Sequence, residues 1–361
     1  MTKNILITNP INVRYLTSFC GSFGQILITK KKIYLLTDPR YFDYAKTLLK
    51  NKNKSENSDQ SKITIICAKK STYPKTLQHL LKKHQIQKLY FEPNHLTVAE
   101  LTKLKKNLSL PTTHLSLLPL PSQNSIENLR CQKTKEEISL LQKSQQINEN
   151  ILQIIVKNLK NGLTEKAIAW QIKELAFQNK CEDLAFEPIV AFGKNSAIPH
   201  HHNTDKKFSK GDIILIDMGV KYQGYCSDMT RTFFTKKPSQ IEQNIYSIVL
   251  EAQEKTINEA KVGFNCTKLD AIARNSIKKH GYKKYFTHGS GHGIGLNIHE
   301  YPSLSEKSLD IAPINAVITI EPGIYLSNQF GIRIEDMILL TENGVTSLTK
   351  FPKKIKEICI F

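Results

Sequence analysis

The chain has 361 residues, 40% of them hydrophobic, and a formal net charge of +19; that length favours two domains over one core. No apolar run approaches the roughly 18 residues a bilayer crossing needs, so a membrane partner is excluded. Only 6 of the 51 basic residues are arginine, and residues 1–120 hold 20 basic against 6 acidic residues; lysine excess without bidentate arginine or interleaved aromatics excludes a specific nucleic-acid surface.

The first 120 residues alternate strand-like and helix-like segments. Strands are expected at 26–29 and 33–36 around a Lys30-Lys31-Lys32 turn, then at 63–67 and 88–91, with helices at 41–50, 76–84 and 97–105. The polar stretch 51–62 reads as a surface loop, and 114–123, rich in Leu, Pro and Ser, reads as a linker before 126–131. A smaller α/β domain over 1–122 and a larger domain over 123–361 are therefore expected. In the second, Thr134 with Glu137 opens a helix as a capping box. Ile138, Leu141, Ile147, Ile151, Ile155 and Leu159 continue it to Gly162. A helix over 164–179 carries Trp170 on its apolar side, another starts at Ser239 with Glu242, and a fourth spans 268–280. Strand pairs lie between and after them, which makes this an α+β domain. Seven dispersed cysteines without a CxxC pair read as reduced thiols. With no charged-then-apolar leader in view, a cytoplasmic location is expected.

Five residues in the last third form a donor set for divalent cations: Asp217, Asp228, His292, Glu321 and Glu335. If the chain turns about 221–224, centred between Tyr222 and Gln223, Asp217 and Asp228 stand directly opposed on one sheet face. Glu321 and Glu335 repeat this geometry about Asn328. Carboxylates about 4 Å apart repel by roughly 4 kcal/mol per pair at a surface-like dielectric, so four together require protons or cations. Two divalent ions would balance them. The glycines of Ser290-Gly291-His292-Gly293-Ile294-Gly295-Leu296 do not satisfy the dinucleotide pattern and instead let backbone approach closely.

The runs Asp217-Met218-Gly219, Ser227-Asp228-Met229-Thr230-Arg231-Thr232, Gly291-His292-Gly293-Ile294-Gly295, Glu321-Pro322-Gly323-Ile324-Tyr325 and Arg333-Ile334-Glu335-Asp336 resemble, in order, the signatures of the pita-bread metallopeptidases, the family of methionine aminopeptidase, aminopeptidase P and prolidase. The runs Asn12-Val13-Arg14-Tyr15-Leu16-Thr17-Ser18-Phe19 and Thr37-Asp38-Pro39-Arg40-Tyr41 resemble the creatinase-like N-terminal domain of its Xaa-Pro peptidases, Ser18 standing where Gly is commoner. The resemblance implies a pita-bread catalytic domain that cleaves the bond preceding proline in short peptides. An Xaa-Pro aminopeptidase is expected, with an Xaa-Pro dipeptidase (prolidase) as the alternative and a non-catalytic peptidase-like binding module or a creatinase-like hydrolase further off. It implies a homodimer and two divalent metal ions, manganese first, with cobalt, iron or zinc also able to occupy the site. Asp228 and Glu335 would bridge the ions, Asp217 would complete one coordination sphere, and His292 with Glu321 the other. Glu321 is the implied proton shuttle. His200, His288 and His299 are implied on the substrate side, with the His200-His201-His202 run leaving the register of the first open by one. Arg333 is expected to orient Glu335 or to bind a substrate carboxylate, and Tyr325 to support the site.

Overall fold

The computed structural model describes residues 3–55, 63–108, 115–122 and 125–360. Its contacts divide into two units, Met1–Asn128 and Leu129–Phe361. In the first, successive residues of the strand Ile5–Ile7 point to opposite faces of a six-stranded sheet. Ile5 and Ile7 join Val13, Ile26 and Leu35 in one core, while Leu6 joins Leu27, Leu36 and Leu77 in another. The sheet order is Thr64–Cys67, Ile33–Thr37, Gly24–Ile28, Ile5–Ile7, Lys88–Phe91, Ser116–Pro119. The expected lysine turn joins Gly24–Ile28 to Ile33–Thr37, and the Thr29 hydroxyl donates to the Lys32 carbonyl at 2.8 Å.

Two readings of this unit need correction. Ser116–Pro119, within the stretch read as a linker, is a parallel strand beside Lys88–Phe91; its proline sits at the end of an edge strand, where a missing N–H is tolerated. Of the loop expected at 51–62, residues 51–55 complete the helix Phe42–Ser55, and 56–62 lie outside the described residues.

In the second unit both capping boxes form: Thr134 and Glu137 start the helix Lys135–Lys157, and Ser239 and Glu242 start Gln240–Glu259. Thr164 caps Glu165–Gln178, and Cys266–Lys279 follows. The first helix stops at Asn158, short of Leu159 and Gly162. Trp170 is 67% exposed, against expectation. The buried stripe of its helix runs through Ile168, Ile172 and Ala176, and two residues from Ile168 is about 200° around the axis. Ile151, Ile172, Ile245 and Val249 from these helices pack with Ile214, Ile216 and Phe233 from the strands in one core. No helix among the described residues is long and apolar enough to cross a membrane.

Met229–Phe234 pairs with Ile213–Met218, which pairs with Ile189–Phe192. This hairpin turns one residue later than its spacing suggested. Gln223 and Gly224 take φ of 48° and 89°, so they form the two-residue turn whose twist matches a hairpin. Tyr222 then faces Tyr225, and Thr230 rather than Asp228 stands opposite Asp217. Asp228 lies two residues before Thr230, so the acids are diagonal and keep the parity of one face. The second hairpin has the expected register. Gly323 pairs with Arg333 and, in the adjoining sheet, Ile320 pairs with Asp336, which sets Glu321 across from Glu335.

Candidate metal centre

Four of the five donors occupy strand ends or the residues just beyond them. Asp217 is the penultimate residue of Ile213–Met218, Asp228 precedes Met229–Phe234, Glu321 follows Val317–Ile320, and Glu335 precedes Asp336–Thr341. His292 is the middle residue of Gly291–Gly293. These strands lie close because their glycines permit it. A Cβ on Gly291 would strike the Thr319 carbonyl, and one on Gly293 the Tyr301 carbonyl. The close approach is thus to neighbouring strands rather than to the cleft.

All five donors line one cavity of about 560 Å³. Ligand atoms of Asp228, His292 and Glu335 all lie within 4.8 Å of one another. His292 Nε2 is 3.5 Å from Asp228 Oδ2 and 3.7 Å from Glu321 Oε1. Its Nδ1 lies 3.0 Å from the Gly293 carbonyl; donating there fixes the tautomer and leaves the Nε2 lone pair for a cation. Asp217 Oδ1 and Asp228 Oδ1 are buried without a hydrogen-bond partner. Burial, then the charges of Asp217 and Glu321, push the Asp228 carboxyl well above the usual range. Burial and Asp228 do the same to Glu335, and burial raises Glu321. Oxygen donors with orphaned lone pairs and unbalanced charge fit a divalent cation.

The surroundings hold these donors in place. Thr230 Oγ1 donates to Glu335 Oε2 at 2.7 Å and accepts from Arg333 Nε at 3.1 Å. Arg231, fully buried, donates to the backbone carbonyls of Thr230 and Glu335 at 3.0 and 2.7 Å and to Asp336 Oδ1 at 2.7 Å. Thr319 Oγ1 accepts from His292 N. Arg333 meets Glu335 only through the Thr230 hydroxyl, and its direct bonds go elsewhere. Its Nη2 sits 2.6 Å from Asp217 Oδ2 and its Nη1 donates to Tyr325 OH at 2.8 Å and to the Pro199 carbonyl at 3.2 Å. Thr230 stands opposite Asp217, so the guanidinium that shares its hydroxyl reaches the acid across the sheet.

The three substrate-side histidines expected from the sequence line the same cavity. His288 Nε2 meets Tyr325 OH at 2.8 Å and its Nδ1 meets the Gly289 carbonyl at 2.7 Å, so a chain of bonds runs Arg333, Tyr325, His288. Burial, then the Arg333 charge, lower His288 to about 3. The His299 ring stands edge-on to His292 with centroids 4.3 Å apart; burial, then His292, lower it to about 4. Both are neutral imidazoles at pH 7. In the triple run, His201 Nε2 turns to Glu165 Oε2 at 2.8 Å, while His200 is the exposed member nearest Pro199.

Sequence reasoning passed over Thr230, Arg231, Thr319, Glu165 and the Asp270–Arg274 pair. Thr230 and Arg231 stood inside a motif already singled out. Asp270 and Arg274 are i,i+4 on a helix; Asp270 Oδ1 accepts from Ser290 N at 3.0 Å and Arg274 donates to the His288 carbonyl at 2.9 Å.

Residues 139–342 match the family model described as metallopeptidase family M24, and residues 2–132 match the creatinase/prolidase N-terminal domain. The chain is 42% identical over 230 residues, 64% of its length and 66% of the relative's, to the Xaa-Pro dipeptidase of Pyrococcus furiosus. Its structure is similar to that of the X-Pro aminopeptidase from Thermotoga maritima, with a TM-score of 0.86 at 32% identity, covering 98% of this chain and 97% of that one. The Xaa-Pro dipeptidase from Bacillus anthracis gives 0.89 at 33% identity, covering 99% and 95%.

Proposed function

The chain belongs to metallopeptidase family M24, and from that premise we propose that it hydrolyses the bond between an N-terminal residue and proline, with Xaa-Pro dipeptides as its substrates. The observation that carries this reading is the convergence of five donors in one cavity beside three histidines. The dipeptidase names borne by the Pyrococcus furiosus relative and the Bacillus anthracis structure support the dipeptide preference. A complete donor set argues against a non-catalytic binding module.

Asp217, Asp228, His292, Glu321 and Glu335 would hold two divalent ions, manganese suiting a carboxylate-rich set with one imidazole. When bound, such a pair acidifies water and polarises the scissile carbonyl. The chain's own residues do the rest. Glu321, lining the cavity 3.7 Å from His292 Nε2, takes the proton released by the attacking water and carries it toward the prolyl nitrogen. That nitrogen is a poor leaving group until protonated. Neutral His299 donates a hydrogen bond toward the oxygen where charge develops, and His200 and His288 flank the substrate. Arg333 holds Asp217 Oδ2 at 2.6 Å and so fixes the direction in which that carboxylate faces the cavity.

A second reading, release of the N-terminal residue from longer Xaa-Pro peptides, is favoured by one feature. Arg333 is the only Lys or Arg among the described residues lining the cavity, and its guanidinium is committed to Asp217, Tyr325 and Pro199. No such cation is left for a dipeptide's terminal carboxylate. The test is turnover of Ala-Pro beside Ala-Pro-Ala after chelation and after manganese is restored. Dipeptide cleavage that is lost and regained is the expected result. Tripeptide cleavage alone refutes the dipeptide preference, and indifference to chelation refutes the metal reading.

A further inference from the structure

His200 projects from a stretch with little regular structure of its own. Between the strand Ile189–Phe192 and residue 204 there is only the short 3-10 turn Gly193–Ala197. A single carboxylate spans this stretch. Glu165, fully buried at the start of its helix, accepts with Oε1 from Phe192 N at 2.9 Å and Asn195 Nδ2 at 2.8 Å. Its Oε2 takes Thr204 N at 2.9 Å and Thr204 Oγ1 at 2.6 Å and faces His201 Nε2 at 2.8 Å. Asn203 adds a bond from Val190 N, and Arg333 holds the Pro199 carbonyl from the cavity side.

The geometry points to Glu165 and His201 as positioning residues: their buried pair ties both ends of the 192–204 stretch to one carboxylate and presents His200 to the substrate. The inference rests on His200 acting on the substrate side, as proposed above, and adds the device that aims it. Five donors on one carboxylate explain why an acid is buried there at all, since an unpaired buried charge is costly and a neutral amide cannot accept from all five. His201 is committed to Glu165, and its neighbours His200 and His202 stand exposed on either side of it at the cavity wall.

The test uses the full-length, metal-loaded chain as Glu165→Gln, His200→Ala and the double variant. Amide hydrogen exchange by mass spectrometry is read alongside kcat/KM on a Xaa-Pro substrate. In Glu165→Gln, exchange should rise over 190–206 and stay parental over 288–295 and 315–340. Its kcat/KM should fall about 10²-fold, the scale of a misplaced active-site group. The double variant should be no slower than the slower single variant, because misaiming a side chain already removed costs nothing further. Losses that multiply in the double variant, or parental exchange over 190–206, overturn the proposal. If Glu165→Gln does not fold, Thr204→Val removes one of the five donors and must show the same local exchange at smaller amplitude. Should His200→Ala turn over like the parent, the substrate-side role of His200 fails, and the exchange profile alone decides the clamp.

Discussion

Replacing Asp228 with Asn should stabilise the metal-free protein while abolishing metal binding. With ligand atoms of Asp228, His292 and Glu335 inside 4.8 Å, two ionised carboxylates at that separation repel by about 3.5 kcal/mol at an effective dielectric of 20. Protonation is the alternative, and it costs about 1.4 kcal/mol for each pH unit above the ordinary Asp value of 3.8, so it brings comparable cost at neutral pH. Asparagine removes the charge and keeps the shape, though its amide still carries a buried polar atom. The gain should be about 2–3 kcal/mol, or about 5–10 °C in Tm for a unit of this size. The assay is a thermal melt of parent and variant in chelator, repeated with excess manganese. The parent should melt lower in chelator and higher in metal, and the variant should be indifferent to metal. A variant that melts below the parent in chelator, or still gains stability from manganese, refutes the reasoning that Asp228 is strained without a cation.

Further outcomes follow from the same geometry. Because burial and mutual repulsion raise Asp228, Glu321 and Glu335 in the metal-free state, cation binding at pH 7 should expel protons, and affinity should rise with pH; titration calorimetry in buffers of different ionisation enthalpy checks this, and a buffer-independent heat contradicts it. Thr230→Val deletes the hydroxyl that holds Glu335 Oε2 and Arg333 Nε, so metal affinity should weaken by about 10–100-fold with the fold retained; unchanged affinity in a metal titration would remove Thr230 from the site. At Glu165 burial alone would raise the carboxyl, but the bonds from Thr204, His201, Phe192 and Asn195 outweigh it and the net shift is downward. The group therefore adds stability above its ordinary value of 4.5 that is lost as pH falls through its lower folded value. Glu165→Gln should flatten the acid limb of a Tm-against-pH curve, and an identical limb in both proteins would show that the carboxylate contributes nothing.

Much of the architecture was legible because it rests on short-range rules. The capping boxes at Thr134 and Ser239 and the spacing of Ile151 and Ile155 each act within a turn or two of chain. The second acid hairpin was readable for the same reason, since parity about Asn328 carries through both flanking ladders. The first was misplaced by one residue, as the left-handed pair at Gln223 and Gly224 sets the turn. Trp170 shows how coarse an apolar count is. A helix chooses its buried stripe by what packs on it, and here that is Ile168, Ile172 and Ala176.

The amino-acid order by itself marked out the five candidate donors that the fold gathers at one cavity, because the types that can ligate hard cations are few and their local contexts are distinctive. What only the folded chain decided is which charged group answers which. Arg333 bonds Asp217 directly and meets Glu335 only through Thr230, His201 rather than His200 turns to Glu165, and Arg231 holds the Glu335 carbonyl. Those pairings join residues as many as 116 positions apart. They depend on register and on which side chain a neighbouring strand leaves room for, and local sequence does not encode either.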